Sequence, residues 1–167
     1  LGLSRLIDAL NERVGRSAMW LLLIAVLIST INAIVRKAFN WSSNGLLEIQ
    51  WYLFAGAFLL VFSYTLPHNE HVRIHVVGCK FSKRTQTWIE VIGTVLFLLP
   101  FSLMVLWTST PWFFRSFASQ EMSVNAGGLI LWPAKILVPI GFALLTLQGL
   151  SELIKRLAFL QGLIPDP

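Results

Sequence analysis

The stretch SAMWLLLIAVLISTINAIV, residues 17–35, decides the fold class of this chain. It runs without a charged side chain between Arg16 and Arg36. A helix needs about 20 predominantly apolar residues to cross a hydrocarbon core about 30 Å thick. The stretch therefore predicts a membrane-spanning α-helix.

Three more apolar segments of similar length follow, at about 47–66, 88–110 and 129–150. They are interrupted only by Glu48, Glu90 and Lys135. Inside lipid a helix satisfies its own backbone hydrogen bonds, whereas the strict ten-residue alternation of membrane barrel strands is absent here. We expect an all-α integral membrane protein with four transmembrane helices, forming one membrane domain over residues 1–167.

The composition agrees with this class of protein. Of the 167 residues, 56% are hydrophobic and 13% are charged, and the mean hydropathy is +0.71, whereas soluble domains carry about 25% charged residues. The net charge of +5 is compatible with a nucleic-acid or a membrane-surface partner. Because the Lys and Arg residues lie at the ends of apolar segments, they indicate membrane topology and no nucleic-acid partner.

The N-terminal segment, residues 1–16, is predicted to form an amphipathic helix. Its apolar residues recur at helical spacing, with charged residues largely between them: Leu3, Leu6, Ile7, Leu10 and Val14. We expect it to lie in the headgroup plane in contact with membrane lipids. The alternative is an amphipathic helix that packs on protein.

The distribution of Lys and Arg predicts the orientation, because cytoplasmic flanks carry the excess of these residues. One side would hold Arg5, Arg13, Arg16, Arg73, Lys80, Lys83, Arg84, Lys155 and Arg156. The other side would hold Arg36, Lys37 and Arg115. We expect both termini, including a tail at 151–167, to be cytoplasmic.

Two features predict where the third and fourth helices end and begin. Thr110-Pro111 suggests a cap followed by proline at a first helical position, so residues 112–117 would form a separate surface helix. Gly127-Gly128 is expected to break the chain before the last span.

Ionisable groups inside a membrane are costly and are candidates for function. Glu48 and Lys135 would both lie about one turn inside the outer boundary, and we expect them to pair, either as a structural tie or as a partner contact or ion path. Glu90 would be stabilised by the helix N-terminus.

Uncharged residues predict contacts between the helices. Asn32 and Gln148 are expected to form hydrogen bonds from one helix to another, and the small residues 55–57 are expected to mark a close helix contact.

The loop after the second span is the most polar part of the chain. It contains His68, His71 and His75 beside Arg73, but the spacing is not that of a known zinc motif and Cys79 is the only nearby sulfur. We therefore expect no metal and no cofactor, and interpret the loop as a docking or ordering segment. No span contains His, which argues against intramembrane catalysis and hence against an enzyme.

Several short runs, in a consistent order, carry a resemblance to a known family. They are Glu48-Ile49-Gln50-Trp51-Tyr52-Leu53-Phe54, Tyr64-Thr65-Leu66, Asn69-Glu70-His71-Val72-Arg73-Ile74, Glu121, Ser123, Gly127-Gly128-Leu129, Trp132-Pro133-Ala134-Lys135, Pro139-Ile140-Gly141-Phe142, Leu145, Leu147 and Gln148. Together they resemble the small membrane subunit of TRAP transporters, the DctQ-like family. The chain departs from the family at His75, where an Asp is common.

The resemblance implies a tripartite importer in a bacterial inner membrane. A periplasmic substrate-binding protein would capture an organic acid, and a large M-type membrane subunit would move it inward with sodium. The small subunit would be a scaffold, with Glu48, Lys135, His71 and Arg73 as assembly candidates. The alternative is a small homo-oligomeric channel or exporter.

Overall fold

A computed structural model describes residues 2–39, 43–68 and 82–162 of the chain. These residues are mostly helical, and in them only an isolated bridge between Met122 and Ile130 has β-pairing. Four of the helices are long and apolar enough to cross a membrane. The predicted all-α fold with four spanning helices is therefore confirmed.

The helices are α1 (Gly2–Phe39), α2 (Asn44–His68), α3 (Lys83–Gly93), a π-helical turn (Thr94–Leu98), α4 (Leu99–Ser119), α5 (Trp132–Lys135) and α6 (Leu137–Leu160). From α3 to α4 the chain forms one continuous candidate span, Arg84–Ser119, and α5 with α6 forms another, Trp132–Leu160. The helices of the first three spans extend beyond the predicted spans at both ends, whereas the fourth begins at Trp132 rather than at about 129 and continues to Leu160 instead of ending near 150.

Helix α1 is a single continuous helix without a break after residue 16. At 1.5 Å per residue its length is about 57 Å, well beyond the core of a bilayer. In its first turns Leu6 is exposed, whereas Ser4, Ile7 and Asn11 are buried. The face that packs on the protein is therefore mixed in polarity, and some of the apolar residues point away from it.

Helix α4 runs through Pro111, so the predicted cap at Thr110-Pro111 and the separate helix at 112–117 are wrong. Proline removes one backbone N–H, but membrane helices tolerate it because neighbouring groups satisfy the backbone. The carbonyl that loses its donor is that of Trp107, four residues before Pro111. The Thr110 hydroxyl donates to the adjacent Leu106 carbonyl at 2.7 Å, which adds a hydrogen bond in the same turn but does not replace the missing one. The helix ends instead at Gln120, which adopts a left-handed conformation with φ 48°.

Helix α6 occupies the centre of the bundle, where it packs against α1, α2 and α4. Glycine allows the close approach: a Cβ placed on Gly141 would lie 2.9 Å from the Leu59 Cβ and 3.1 Å from the Leu59 carbonyl oxygen. Gly56 and Ala57 are buried, which confirms the predicted close contact in the second span, although Ala55 is exposed.

Candidate functional site: polar junctions at the two ends of the bundle

Glu48, in α2, is held by a loop and is only 3% exposed. Its Oε1 accepts hydrogen bonds from the Ser123 hydroxyl and, at 2.8 Å, from the Asn125 side-chain amide. Its Oε2 accepts from the Leu129 backbone N–H at 2.7 Å. All these donors belong to residues 120–131, which we call the hairpin loop.

The shape of the hairpin loop follows from its backbone pairing and its glycines. The Ser123 N–H donates to the Leu129 carbonyl, and the Leu131 N–H donates to the Glu121 carbonyl, both at 2.9 Å. Gly127 has a φ of 72°, and a Cβ on Gly128 would lie 2.6 Å from the Ser123 Cβ. Only glycine fits both positions without strain, so the predicted break is a tight turn that aims its donors at Glu48.

Lys135 does not pair with Glu48, so that predicted ion pair is wrong. Its ammonium group contacts the Glu121 carboxylate, and it lies 4.6 Å from the centre of the Trp112 ring, within the range of a cation–π interaction. The physical reason is that loop donors already use both oxygens of Glu48, and the hairpin brings Glu121 closer to Lys135. Hydrogen bonding to Lys135 lowers the pKa of the Glu121 carboxyl below its ordinary value of 4.5.

At the opposite end of the bundle, polar side chains join α1 to α6. We call this set the polar seam: Ser4, Asp8 and Asn11 of α1 with Gln148, Ser151, Glu152 and Lys155 of α6.

The amide of Gln148 is at the centre of the polar seam and is fully buried. Its Oε1 accepts from the Asn11 amide at 2.5 Å, and its Nε2 donates to Asp8 at 3.0 Å and to Glu152 at 3.3 Å. The Lys155 ammonium then bridges Asp8 and Glu152, at 2.8 Å from each. A buried amide requires partners of this kind, because an unpaired polar group away from water is costly.

A second tie at the same end connects α3 to α6. The Arg156 guanidinium contacts the Glu90 carboxylate in an ion pair that is largely shielded from solvent. Glu90 was predicted to be stabilised by the helix N-terminus alone, and the structure adds this cation as its partner.

Between the two junctions the bundle is packed by apolar and small residues. Phe101 and Phe142 pack edge to face, with ring centres 6.0 Å apart. Two buried serines bond within their own helices: Ser63 donates to the Leu60 carbonyl and Ser102 to the Leu99 carbonyl, both at 3.1 Å. The Tyr52 hydroxyl of α2 is buried without a partner among the described residues. The interhelical polar contacts described above therefore lie at the ends of the bundle.

The predicted site residues are only partly visible in this arrangement. Glu48 and Lys135 lie at the same end of the bundle and both contact the hairpin loop, each through its own partners. His71 and Arg73 lie outside the described residues.

The predicted hydrogen bonding of Gln148 between helices is confirmed, whereas the Oδ1 atom of Asn32 has no partner among the described residues.

Sequence analysis missed most of the polar seam. From the sequence, the charged residues of 1–16 were placed between the apolar ones, Lys155 entered only the prediction of orientation, and Ser4 and Asn11 were given no role. A signal was present, because Ser4, Asp8 and Asn11 recur at the three-and-four-residue spacing of one helix face.

Among the described residues, no group of His, Cys, Asp and Glu side chains is arranged to hold a metal ion. The polar groups found instead connect helices to each other and to one loop. The fold and these junctions define a class of protein: a multi-pass membrane protein of four helices, with polar ties at both ends.

The chain belongs to the DctQ family. The family model described as tripartite ATP-independent periplasmic transporters, DctQ component, matches residues 6–159. This family is the small membrane component of the TRAP transporters, a transport component rather than an enzyme, and it works with a large M-type subunit and a substrate-binding protein. Comparisons with curated proteins and with solved structures found no match.

Proposed function

We propose that this chain is the scaffold subunit of a TRAP transporter in a bacterial inner membrane, with both termini in the cytoplasm and the first turns of α1 at the inner membrane surface. The large M-type subunit carries an organic acid inward with sodium, and the periplasmic binding protein delivers it. The small subunit braces the large one and does not itself form a pathway.

The observation that carries this proposal is the placement of polar groups. A transporter core typically has broken helices and a polar site near the bilayer midplane. Among the described residues, two packing contacts fill the middle of the bundle: Gly141 against Leu59, and Phe101 against Phe142. With ties at the hairpin loop and at the polar seam, the helices are held at both ends, which suits a brace.

The outer faces of the bundle are suited to contact other molecules. Large apolar side chains are exposed along the third span, where Phe97 is 74% and Trp107 is 82% exposed, so this surface would face lipid or the large subunit. In the hairpin loop Met122 and Val124 are exposed as well. We propose that the hairpin loop meets the binding protein.

Glu48, Lys135, His71 and Arg73 are our candidates for assembly. Glu48 and Lys135 would act by fixing the hairpin loop. His71 and Arg73 would act through the polar loop between α2 and α3. Alanine at each position is expected to reduce co-purification with the large subunit or uptake.

Reconstitution tests the proposed function. Proteoliposomes holding both membrane subunits should accumulate the substrate when a sodium gradient and the loaded binding protein are supplied. Proteoliposomes holding this chain alone should not. Transport by the chain alone, as a defined homo-oligomer, would contradict the proposal and favour a channel or exporter.

A further inference from the structure

An open cleft of about 430 Å³ lies at the end of the bundle where α3 begins and α6 ends. It is lined by Arg84 from α3 and by Phe159, Leu160, Gln161 and Gly162 from the end of α6. We infer that this cleft binds the headgroup of an anionic phospholipid, with the Arg84 guanidinium on the phosphate and with Phe159 and Leu160 against the acyl chains. The inference stands apart from the scaffold role.

The charge of the cleft supports an anionic occupant. Within the described residues, Arg84 is exposed and has no carboxylate at ion-pair distance. The nearest carboxylates along α3 and α6 are engaged elsewhere, Glu90 by Arg156 and Glu152 by Lys155. A planar guanidinium can bond two phosphate oxygens at once, which makes arginine well suited to this group.

The shape and position of the cleft favour a lipid over a free anion. Phe159 and Leu160 give it an apolar wall, which inorganic phosphate would not use. On α3, Trp88 lies one turn after Arg84 and is about half exposed, which adds apolar surface on the same helix face. Among the described residues, nothing lies within 4 Å of a Cβ placed on Gly162.

The test is native mass spectrometry of the full chain released from phosphatidylcholine bilayers that contain phosphatidylglycerol. Arg84→Gln should lower the occupancy of bound phosphatidylglycerol about fivefold, the equivalent of ~1 kcal/mol for one basic residue near an anionic surface. Arg13→Gln is the matched control, because it removes an exposed charge from α1, away from the cleft. It should leave the occupancy unchanged.

Three results would overturn the inference. Occupancy that is equal in the wild type and in Arg84→Gln would show that the cleft does not bind the lipid. An equal loss in both variants would show a diffuse effect of net charge. Displacement of the lipid by inorganic phosphate at equal headgroup concentration would show a site for free anions. Thermal unfolding of each variant, expected to match the wild type, shows that the bundle is intact.

Discussion

At the scale of single residues, Glu48 is a carboxylate near the end of a spanning helix whose acceptors are used by loop donors rather than by a cation. Oε1 accepts from Ser123 and Asn125, and Oε2 from the Leu129 N–H. Charge-assisted hydrogen bonds of this type are stronger than those between neutral groups. Glu48 therefore fixes the hairpin loop to the start of α2.

Glu48→Gln should loosen that attachment. Because both oxygens accept hydrogen bonds, the new amide nitrogen opposes a donor in either orientation. We expect faster amide hydrogen exchange at Leu129 and Ser123. Glu12→Gln is the control, since Glu12 forms an exposed pair with Arg16 on α1 and its loss should leave the hairpin unchanged. Unchanged exchange at Leu129 in Glu48→Gln would show that the carboxylate does not hold the loop.

The Glu121–Lys135 contact should depend on pH. The pKa of the Glu121 carboxyl in the folded protein is below its ordinary value of 4.5. The ionised carboxylate therefore stabilises the fold at pH values above 4.5, and this stabilisation is lost as the pH falls through the lower pKa of the folded state. Thermal unfolding should show Lys135→Gln to be less stable than the wild type at neutral pH, with the gap closing in acid. A gap that persists in acid would mean that Lys135 acts mainly through Trp112.

At the scale of elements, close packing between α2 and α6 depends on Gly141. A Cβ there would lie 2.9 Å from Leu59, against a side-chain carbon and close to backbone. We expect Gly141→Ala to destabilise the bundle by about 1–3 kcal/mol through overpacking, measured by thermal unfolding in mild detergent.

Gly93→Ala provides the matched comparison for Gly141→Ala. Gly93 is also helical, but a Cβ there meets nothing within 4 Å. Alanine should be neutral or stabilising by up to about 1 kcal/mol, because glycine is the poorer helix former. If both substitutions had the same effect, the contact between α2 and α6 would not be as close as the structure places it.

The polar seam predicts coupling between α1 and α6. Gln148→Leu and Asn11→Leu each remove one partner of a buried hydrogen bond of 2.5 Å. A double-mutant cycle should show an interaction of about 1 kcal/mol, the upper part of the range for polar contacts between membrane helices. Strictly additive effects would mean that the two amides do not stabilise each other.

At the scale of the whole molecule, the apolar runs were enough to predict four spanning helices, because a bilayer imposes length and composition on each of them. The same rule marked Glu48 and Lys135 as unusual. It could not give their partners, since these depend on the pairing of Glu121 with Leu131 across the hairpin loop.

The errors have a common physical origin. Pro111 was interpreted by a rule for helix ends, but a membrane helix tolerates an internal proline, and α4 continues through Pro111 to Ser119. The polar seam joins residues far apart in the chain, such as Ser4 and Ser151. Such contacts depend on which helix faces which, and hydropathy does not contain that information.

The central claim is that the bundle stays rigid while a partner subunit moves the substrate. We would measure it by pulsed electron paramagnetic resonance in the working complex, with Cys79 replaced by Ser. One label pair, at Leu6 of α1 and Ile89 of α3, reports the polar-seam end of the bundle. The other, at Phe39 of α1 and Phe114 of α4, reports the hairpin end; all four side chains are exposed.

Both distance distributions should be the same with and without sodium and the substrate-loaded binding protein. That result is expected of a brace whose ends are tied by the hairpin loop and the polar seam. Widening at one end together with narrowing at the other would reveal alternating access within this chain, and would contradict the scaffold role.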